Sequence, residues 1–373
     1  MTNLNFHLMR FILIILPIIG FSYRYTQENI SKYFVELAFL CCSFFSIALM
    51  IFSPKFNYRK SPFILIAVLM LLSYTLKLIY IVLSDTEYYI FPLLVEIKPV
   101  VFIILSIIVI ETSKKISLKQ FSDFGFVFSI ILLIDSIIRY FYFGTIRPGV
   151  LSESNYDGFI ILICLCAGLN CNLYSQKKIA IMILATLVTM SKTGLICMMS
   201  ILVYKSISQL RLKYILLFSV LAFPVLFVIS ERLSSVSEIS SVDRLVMWTS
   251  FFNLLNDLSF WDILFGTNPG VPLKLYDNYL SWFIVNQSEQ NGALGLHAFN
   301  YHSFYIRLFL SYGLILSFIF VFTFMRLSLN SRFLIMVFIV VLLQSFSLGT
   351  FYLSTVSVPL LIAYRGVDDK VYD

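Results

Sequence analysis

Apolar runs close in length to the thickness of a lipid bilayer recur along almost the whole chain of 373 residues. Hydrophobic residues make up 60% of the sequence and charged residues only 13%, a balance that excludes a soluble globular domain. A helix of roughly 20 apolar residues crosses the hydrocarbon core and satisfies its own backbone hydrogen bonds there. We therefore predict an all-α, polytopic integral membrane protein with about 12 transmembrane helices in a single membrane domain over 1–373. The predicted spans run over residues 6–22, 33–52, 62–84, 88–110, 121–143, 156–174, 178–191, 194–208, 214–229, 303–325, 332–349 and 354–364.

The basic residues give the predicted spans an orientation, because lysine and arginine are enriched in cytoplasmic loops. Most of the 27 basic residues lie in inner connections when the N-terminus is placed in the cytoplasm. This holds only if the run after Ile179 is divided at Ser191-Lys192-Thr193-Gly194, which keeps Lys205 inside. Both termini are then cytoplasmic. The net charge of +7 reflects this topology, and no nucleic-acid partner is expected.

The ionisable side chains within the predicted spans include seven in the outer half or at the outer edge: Glu36, Lys77, Glu96, Lys98, Asp135, Arg139 and Arg307. Each costs about 2.5–3.5 kcal/mol at mid-bilayer unless it meets a partner or water. Two interpretations are open: the charges pair with one another, or they line a water-filled cavity that opens to the outside. Asp135 and Arg139 have the i, i+4 spacing of an ion pair on one helix face, whereas Lys77 and Lys98 are expected to share the cavity. Glu36 and Arg307 lie near span ends, where a side chain reaches the interface.

Residues 230–302 form a long polar stretch that we predict to be a large periplasmic loop. Long loops between spans are often functional, so this loop is a candidate catalytic lid. Residues 242–258 within it are predicted to form an amphipathic helix that lies in the interface plane, with Trp248 and Trp261 at headgroup level, or that merely caps the bundle. The apolar residues of this helix recur at spacings of three and four: Val242, Leu245, Trp248, Phe252 and Leu255.

The same loop holds more acidic than basic residues, so bulk attraction does not gather an anionic substrate there. Individual cations such as Arg232 and Arg244 would have to converge on the anion. His302 directly precedes the next apolar run, which places it at the rim of the inferred cavity. An isolated histidine is more often structural than catalytic, and His297 keeps that interpretation.

Four short motifs between residues 147 and 313 follow one another in the order of a known family. They are Arg147-Pro148-Gly149 with Ser154-Asn155, then Ser191-Lys192-Thr193-Gly194, then Asp243-Arg244 with Trp248 and Phe265-Gly266, and last His302-Ser303-Phe304 with Gly313. In these motifs the chain resembles the bacterial O-antigen polymerase and O-antigen ligase superfamily. It departs from the family pattern at Lys192, where the family has arginine, and at Ser303, where the family often has asparagine.

The resemblance implies a glycosyltransferase-C-like membrane enzyme of the bacterial inner membrane with a periplasmic active site. It implies transfer of glycan from undecaprenyl pyrophosphate to an acceptor hydroxyl, without metal or other cofactor. Arg147 and Arg244 are expected to neutralise the diphosphate and His302 to take the acceptor proton. The expected substrate-binding residues are Lys192, Arg232, Asn155, Arg139, Lys77, Lys98 and Trp248. The expected partners are the lipid-linked glycan, membrane lipid and a chain-length regulator protein.

Polymerisation of lipid-linked repeat units is the favoured activity, and three alternatives are open. An O-antigen ligase would transfer the same glycan to the lipid A core. A non-enzymatic flippase would also use a charged cavity, but transporters of this kind often have repeated halves, which are absent from this sequence. A structural scaffold would explain the composition but not the one-sided placement of the intramembrane charges.

Overall fold

The computed structural model describes residues 3–18, 62–144, 146–151, 154–171, 174–209, 243–274, 295–351 and 354–368, with the single residues 41 and 44. The predicted span 214–229 lies outside the described residues, as does the span 33–52 apart from Cys41 and Phe44. The helices are α1 Leu4–Arg10, α2 Pro62–Leu83, α3 Ile90–Thr112, α4 Leu118–Phe143, α5 Ser154–Asn170, α6 Gln176–Val188, α7 Lys192–Gln209, α8 Asp243–Leu255, α9 Phe260–Phe265, α10 Phe304–Ser328, α11 Arg332–Gln344 and α12 Ser354–Leu361. A π-type turn follows α1 over Phe11–Ile15 and another follows α12 over Ile362–Gly366, while a 3₁₀ turn covers Ala298–Asn300.

Four of these helices are long and apolar enough to cross a membrane: α2, α3, α4 and α10. Each has 22 to 26 residues, and at about 1.5 Å per residue this length matches a hydrocarbon core of roughly 30 Å. Their bounds agree with the predicted spans 62–84, 88–110, 121–143 and 303–325 within a few residues. The chain is therefore mostly helical with the character of a membrane protein, while the number of about 12 spans stays a prediction.

Helix α5 is the centre of the bundle. Every residue from Ser154 to Leu169 is buried, and α4, α6, α7, α11 and α12 all contact it. A helix that is apolar all round is a buried helix, and glycine allows its neighbours to approach closely. A Cβ at Gly158 would lie 3.0 Å from the Thr189 hydroxyl, and one at Gly168 would lie 2.6 Å from the Ser122 hydroxyl.

The helix is interrupted between α6 and α7, at the position that the charge pattern indicated. Helix α6 ends at Val188 and α7 begins at Lys192, with Met190 between them in a left-handed conformation (φ 50°). The Ser191 hydroxyl accepts a hydrogen bond from the Gly194 amide at 3.1 Å and so caps the new helix. Two short helices therefore replace the single tilted one that the apolar run would also permit.

Residues near the two ends of the chain meet at one end of the bundle. The short strands β1 (Ile116–Ser117) and β2 (Val367–Asp368) pair in parallel there. The Asn5 amide nitrogen donates to the Ser113 hydroxyl at 2.7 Å, and Arg365 pairs with Glu111 at 2.5 Å. These contacts hold Asn5 and Arg365 at the same end of the bundle.

Helix α8 forms within the predicted segment 242–258, and it packs against protein through residues other than the predicted apolar stripe. Its buried residues are Val246, Met247, Ser250, Phe251 and Leu254, which pack on α10 and on the segment Leu296–Tyr301. Phe252 of the predicted stripe is 57% exposed, whereas Trp248 and Leu255 are half-buried. Both sides of this helix carry large apolar residues, and protein covers the side opposite the predicted stripe, so the position of Trp248, Phe252 and Leu255 in the membrane interface stays a prediction.

Candidate functional site

A break in α10 brings the large loop into direct backbone contact with the membrane helices. Gly313 has φ 72° and ψ −179°, a conformation that favours glycine. A Cβ at Gly313 would lie 2.3 Å from the Leu264 carbonyl oxygen, and one at Gly266 would lie 2.6 Å from the Tyr312 nitrogen. The backbone of the turn after α9 and that of the break in α10 therefore cross so closely that neither Gly266 nor Gly313 has room for a side chain.

At the break, the carbonyl oxygens of Leu310 and Ser311 accept hydrogen bonds from groups outside α10, namely from Thr267 and Lys77. The Leu310 carbonyl accepts the Thr267 amide at 2.7 Å and the Thr267 hydroxyl at 3.0 Å. The Ser311 carbonyl accepts the Lys77 ammonium at 2.7 Å, and Lys77 also donates to the Thr267 carbonyl at 3.1 Å. Lys77, predicted to bind substrate, is thus placed as a clamp between α2, α10 and the large loop.

Glu96 is the buried acid beside this clamp. Its carboxylate accepts hydrogen bonds from the backbone amides of Gly270 and Ala298, and the charges of Lys77 and Arg307 act on it. Arg307 also donates through Nε to the Tyr301 carbonyl. These intramembrane charges attach the loop to α2, α3 and α10, which favours the pairing interpretation for this group.

Lys98 and Tyr301 border the same region. The Lys98 ammonium lies 5.6 Å from the centre of the Phe102 ring, one helical turn further along α3. Burial raises the pKa of the Tyr301 phenol, which keeps it a neutral hydroxyl 3.5 Å from that of Ser250 on α8. The contacts of Lys98 and of Lys77 are different ones, so a shared role in a cavity stays a prediction.

The connection between α4 and α5 presents Arg147. Asp135 pairs with Arg139 at 3.1 Å and accepts the Gly149 amide at 3.1 Å, so the predicted i, i+4 ion pair is present. Arg139 donates to the Arg147 carbonyl at 3.3 Å, and the Arg147 guanidinium donates to the Asn155 side-chain oxygen at 3.0 Å. Arg147 is exposed, so the structure brings Arg139, Arg147 and Asn155 together while one guanidinium face stays accessible to an anion.

Lys192 is the first residue of α7 and is exposed. The first turn of a helix has backbone N–H groups that lack helical partners, and the helix dipole places positive potential there. A lysine at this position adds a full charge to a place that already favours anions. The local geometry is that of an anion-binding helix start.

A polar segment between α11 and α12, most of it within the predicted span 332–349, contacts residues in or next to the candidate motifs. We call Ser345–Thr350, between α11 and α12, the connecting segment. The hydroxyls of Thr193 and Ser347 are 2.9 Å apart, which attaches the start of α7 to this segment. The Gly349 amide donates to the Tyr156 hydroxyl at 3.3 Å, which attaches the start of α5.

Helices α8 and α10 reach the same connecting segment. The Trp248 indole donates to the Phe346 carbonyl at 3.2 Å. The Phe304 amide donates to the Ser345 carbonyl at 3.0 Å, and the Ser303 hydroxyl donates to it at 3.1 Å. His302, half-buried, directly precedes these two residues.

Three of the four sequence motifs therefore have a member that contacts one six-residue segment: Thr193, Trp248 and Ser303. Next to the first motif, Tyr156 contacts it and directly follows Asn155, while Lys192 and His302 are each adjacent in sequence to a contacting residue. Arg244 is the second residue of α8, but its side chain lies outside the described residues, and all of Arg232 lies outside them. The connecting segment was not predicted from the sequence, although serine, glycine and threonine in an otherwise apolar run indicate an interruption of the helix there.

The chain was compared with protein-family models, with curated proteins and with solved structures, and none of the three comparisons finds a match.

Proposed function

We propose that this protein is a glycan polymerase of the O-antigen polymerase type, which joins lipid-diphosphate-linked oligosaccharide repeat units at the outer face of the bacterial inner membrane. The observation that carries the proposal is that three of the four motifs contact the connecting segment, and that Tyr156, which follows Asn155 of the first motif, contacts it as well. The motifs span residues 147–313 of the sequence and include Arg147, Asn155, Lys192 and His302.

The proposed chemistry is a single displacement. The acceptor hydroxyl oxygen attacks the anomeric carbon of the donor glycan, and the bond from that carbon to the phosphate oxygen breaks. The diphosphate leaves with the bonding electron pair, and the acceptor proton passes to the His302 imidazole, which typically contributes about 10²–10⁴-fold in such steps.

Cations assist the departure of the diphosphate because its negative charge grows as the bond breaks. Arg147 and the positively charged start of α7 at Lys192 supply this charge, with Arg244 and Arg232 from the large loop. Asn155 positions the Arg147 guanidinium through their 3.0 Å hydrogen bond. Trp248 anchors α8 and thereby the loop.

The test substitutes Arg147, Arg244 and His302 by alanine, one at a time, in the native host, and resolves its lipopolysaccharide on a gel. A polymerase predicts that each variant leaves core carrying a single repeat in place of the ladder. Bare core with accumulated lipid-linked glycan would instead identify a ligase.

Lys274→Ala is the matched control within the same loop, because Lys274 belongs to none of the four motifs and pairs with Asp257 at 2.5 Å on the surface. This variant should keep the wild-type ladder. Normal ladders in all three alanine variants at wild-type protein levels would refute the assigned site.

A further inference from the structure

Gln344, the last residue of α11, is a buried amide whose hydrogen-bonding groups are unused. Its side chain is 0% exposed, and among the described residues neither Nε2 nor Oε1 has a hydrogen-bond partner. A buried polar group without partners is costly, so buried amides in proteins are nearly always satisfied. The main chain of Gln344 is well bonded, since its carbonyl accepts the Ser347 and Leu348 amides.

The amide lies against the first turn of α7. A Cβ at Gly194 would be 3.5 Å from the Gln344 Nε2, an ordinary van der Waals contact, so the amide lies directly beside this glycine. The paired hydroxyls of Thr193 and Ser347 are on the same turn and on the connecting segment, respectively. Gln344 is therefore directed towards the helix start that carries Lys192.

We propose that Gln344 is a substrate-binding residue that contacts hydroxyl groups of the sugar joined to the donor diphosphate. This inference rests on the proposed function. A phosphate oxygen only accepts hydrogen bonds and would satisfy Nε2 alone, whereas sugar hydroxyls both donate and accept and so satisfy Nε2 and Oε1. With the diphosphate at the start of α7, the sugar bonded to it lies next to the amide.

The enclosure of Gln344 sets a condition for binding. The ligand reaches the amide only when the glutamine side chain turns or the connecting segment moves. Rotation about three side-chain bonds gives glutamine the freedom to turn.

The experiment uses the full-length protein in lipid nanodiscs with two probes, undecaprenyl diphosphate and the lipid-linked repeat unit extracted from the host. Dissociation constants and the thermal midpoint are measured for wild type and for Gln344→Leu. Leucine removes the unpaired amide, so the midpoint should stay equal or rise. Affinity for the repeat-unit lipid should fall about three- to tenfold, the worth of one or two hydrogen bonds, and affinity for the bare diphosphate should be unchanged.

Asn170→Leu is the matched control. Its amide donates to the Cys166 carbonyl at 2.8 Å and faces Met336 of α11, so the amide has partners. This variant should lower the thermal midpoint and leave both affinities unchanged.

Equal affinity of wild type and Gln344→Leu for the repeat-unit lipid would overturn the inference while the proposed function stands. A lowered midpoint with equal losses for both probes would also overturn it, because the amide would then be structural. If wild type binds neither probe, the proposed function itself fails and the inference with it.

Discussion

Lys77 and Lys192 are both predicted from the sequence to bind substrate, but they have opposite environments in the structure. Lys77 lies within a long apolar helix, and its ammonium donates to the carbonyls of Thr267 and Ser311. Lys192 is exposed at the first residue of a helix. A cation in the membrane is retained when backbone oxygens satisfy it, whereas a cation at an open helix start adds potential for a ligand. The contacts of Lys77 therefore support a role in the fold, whereas the position of Lys192 suits the proposed contact with the diphosphate.

The largest effect is expected at the backbone crossing that the Lys77 clamp supports. Gly313→Ala adds a Cβ 2.3 Å from the Leu264 carbonyl and strains a positive φ, so we expect a loss of about 3 kcal/mol or more in unfolding free energy. Gly144→Ala is the control, with φ 65° but nothing within 4 Å, and should cost only about 1–2 kcal/mol. Thermal unfolding in detergent measures both, and equal losses would argue against the crossing.

Substituting the two lysines by methionine tests the comparison directly. Lys77→Met leaves two carbonyls without their donor and should lower the unfolding free energy by about 2–4 kcal/mol. Lys192→Met, at an exposed position, should change it by less than about 0.5 kcal/mol and yet reduce glycan transfer about tenfold to a hundredfold. Lys192→Arg should remain active, because the positive charge is kept.

The opposite pattern, a stable Lys77→Met protein that cannot bind lipid diphosphate, would make Lys77 a ligand residue after all. Loss of transfer in Lys192→Arg would show that this position needs more than a simple cation.

A smaller effect is expected at the ion pair behind Arg147. Asp135→Asn keeps an acceptor for the Gly149 amide but removes the charge that faces Arg139 at 3.1 Å. Because Arg139 is a quarter exposed, water screens this pair and the loss should be about 1 kcal/mol. Transfer should fall modestly through the loosened Arg147 connection, and raising the salt concentration should narrow the difference from wild type.

The smallest effect is expected at the pair of Lys274 and Asp257, whose side chains are 65% and 40% exposed. Lys274→Ala should change the unfolding free energy by less than about 0.5 kcal/mol, because exposed ion pairs contribute little. A larger change would mean that this part of the loop is packed more tightly than its exposure indicates.

Much of the helical framework follows from the sequence, because hydropathy and length determine where an apolar helix can form. The four long helices were predicted in this way, whereas the break before Lys192 was predicted from the distribution of basic residues. The connecting segment was not, since Ser345, Ser347 and Thr350 are compatible with a membrane helix and only tertiary contacts end α11 at Gln344. Hydropathy also gave no means of choosing between the two apolar sides of α8.

The candidate site was predictable in its residues more than in its arrangement. The spacing of Asp135 and Arg139 sufficed to predict their pairing, because one helix face determines it. The role of Lys77 was not predictable, because it depends on a break in α10 that lies 236 residues away along the chain. In the sequence Gly313 is one more small residue within an apolar run, and only its dihedral angles show that the helix is interrupted there.

The enclosure of α5 has a consequence for how the protein is made. Nascent hydrophobic segments leave the translocation machinery one after another and first meet lipid, yet in the finished protein α4, α6, α7, α11 and α12 contact α5 and its residues from Ser154 to Leu169 are buried. Two of the helices that contact α5, α11 and α12, are synthesised more than 150 residues after it, so their side of α5 stays uncovered by them until the end of synthesis. The enclosure of the central helix is thus completed only when the last helices insert.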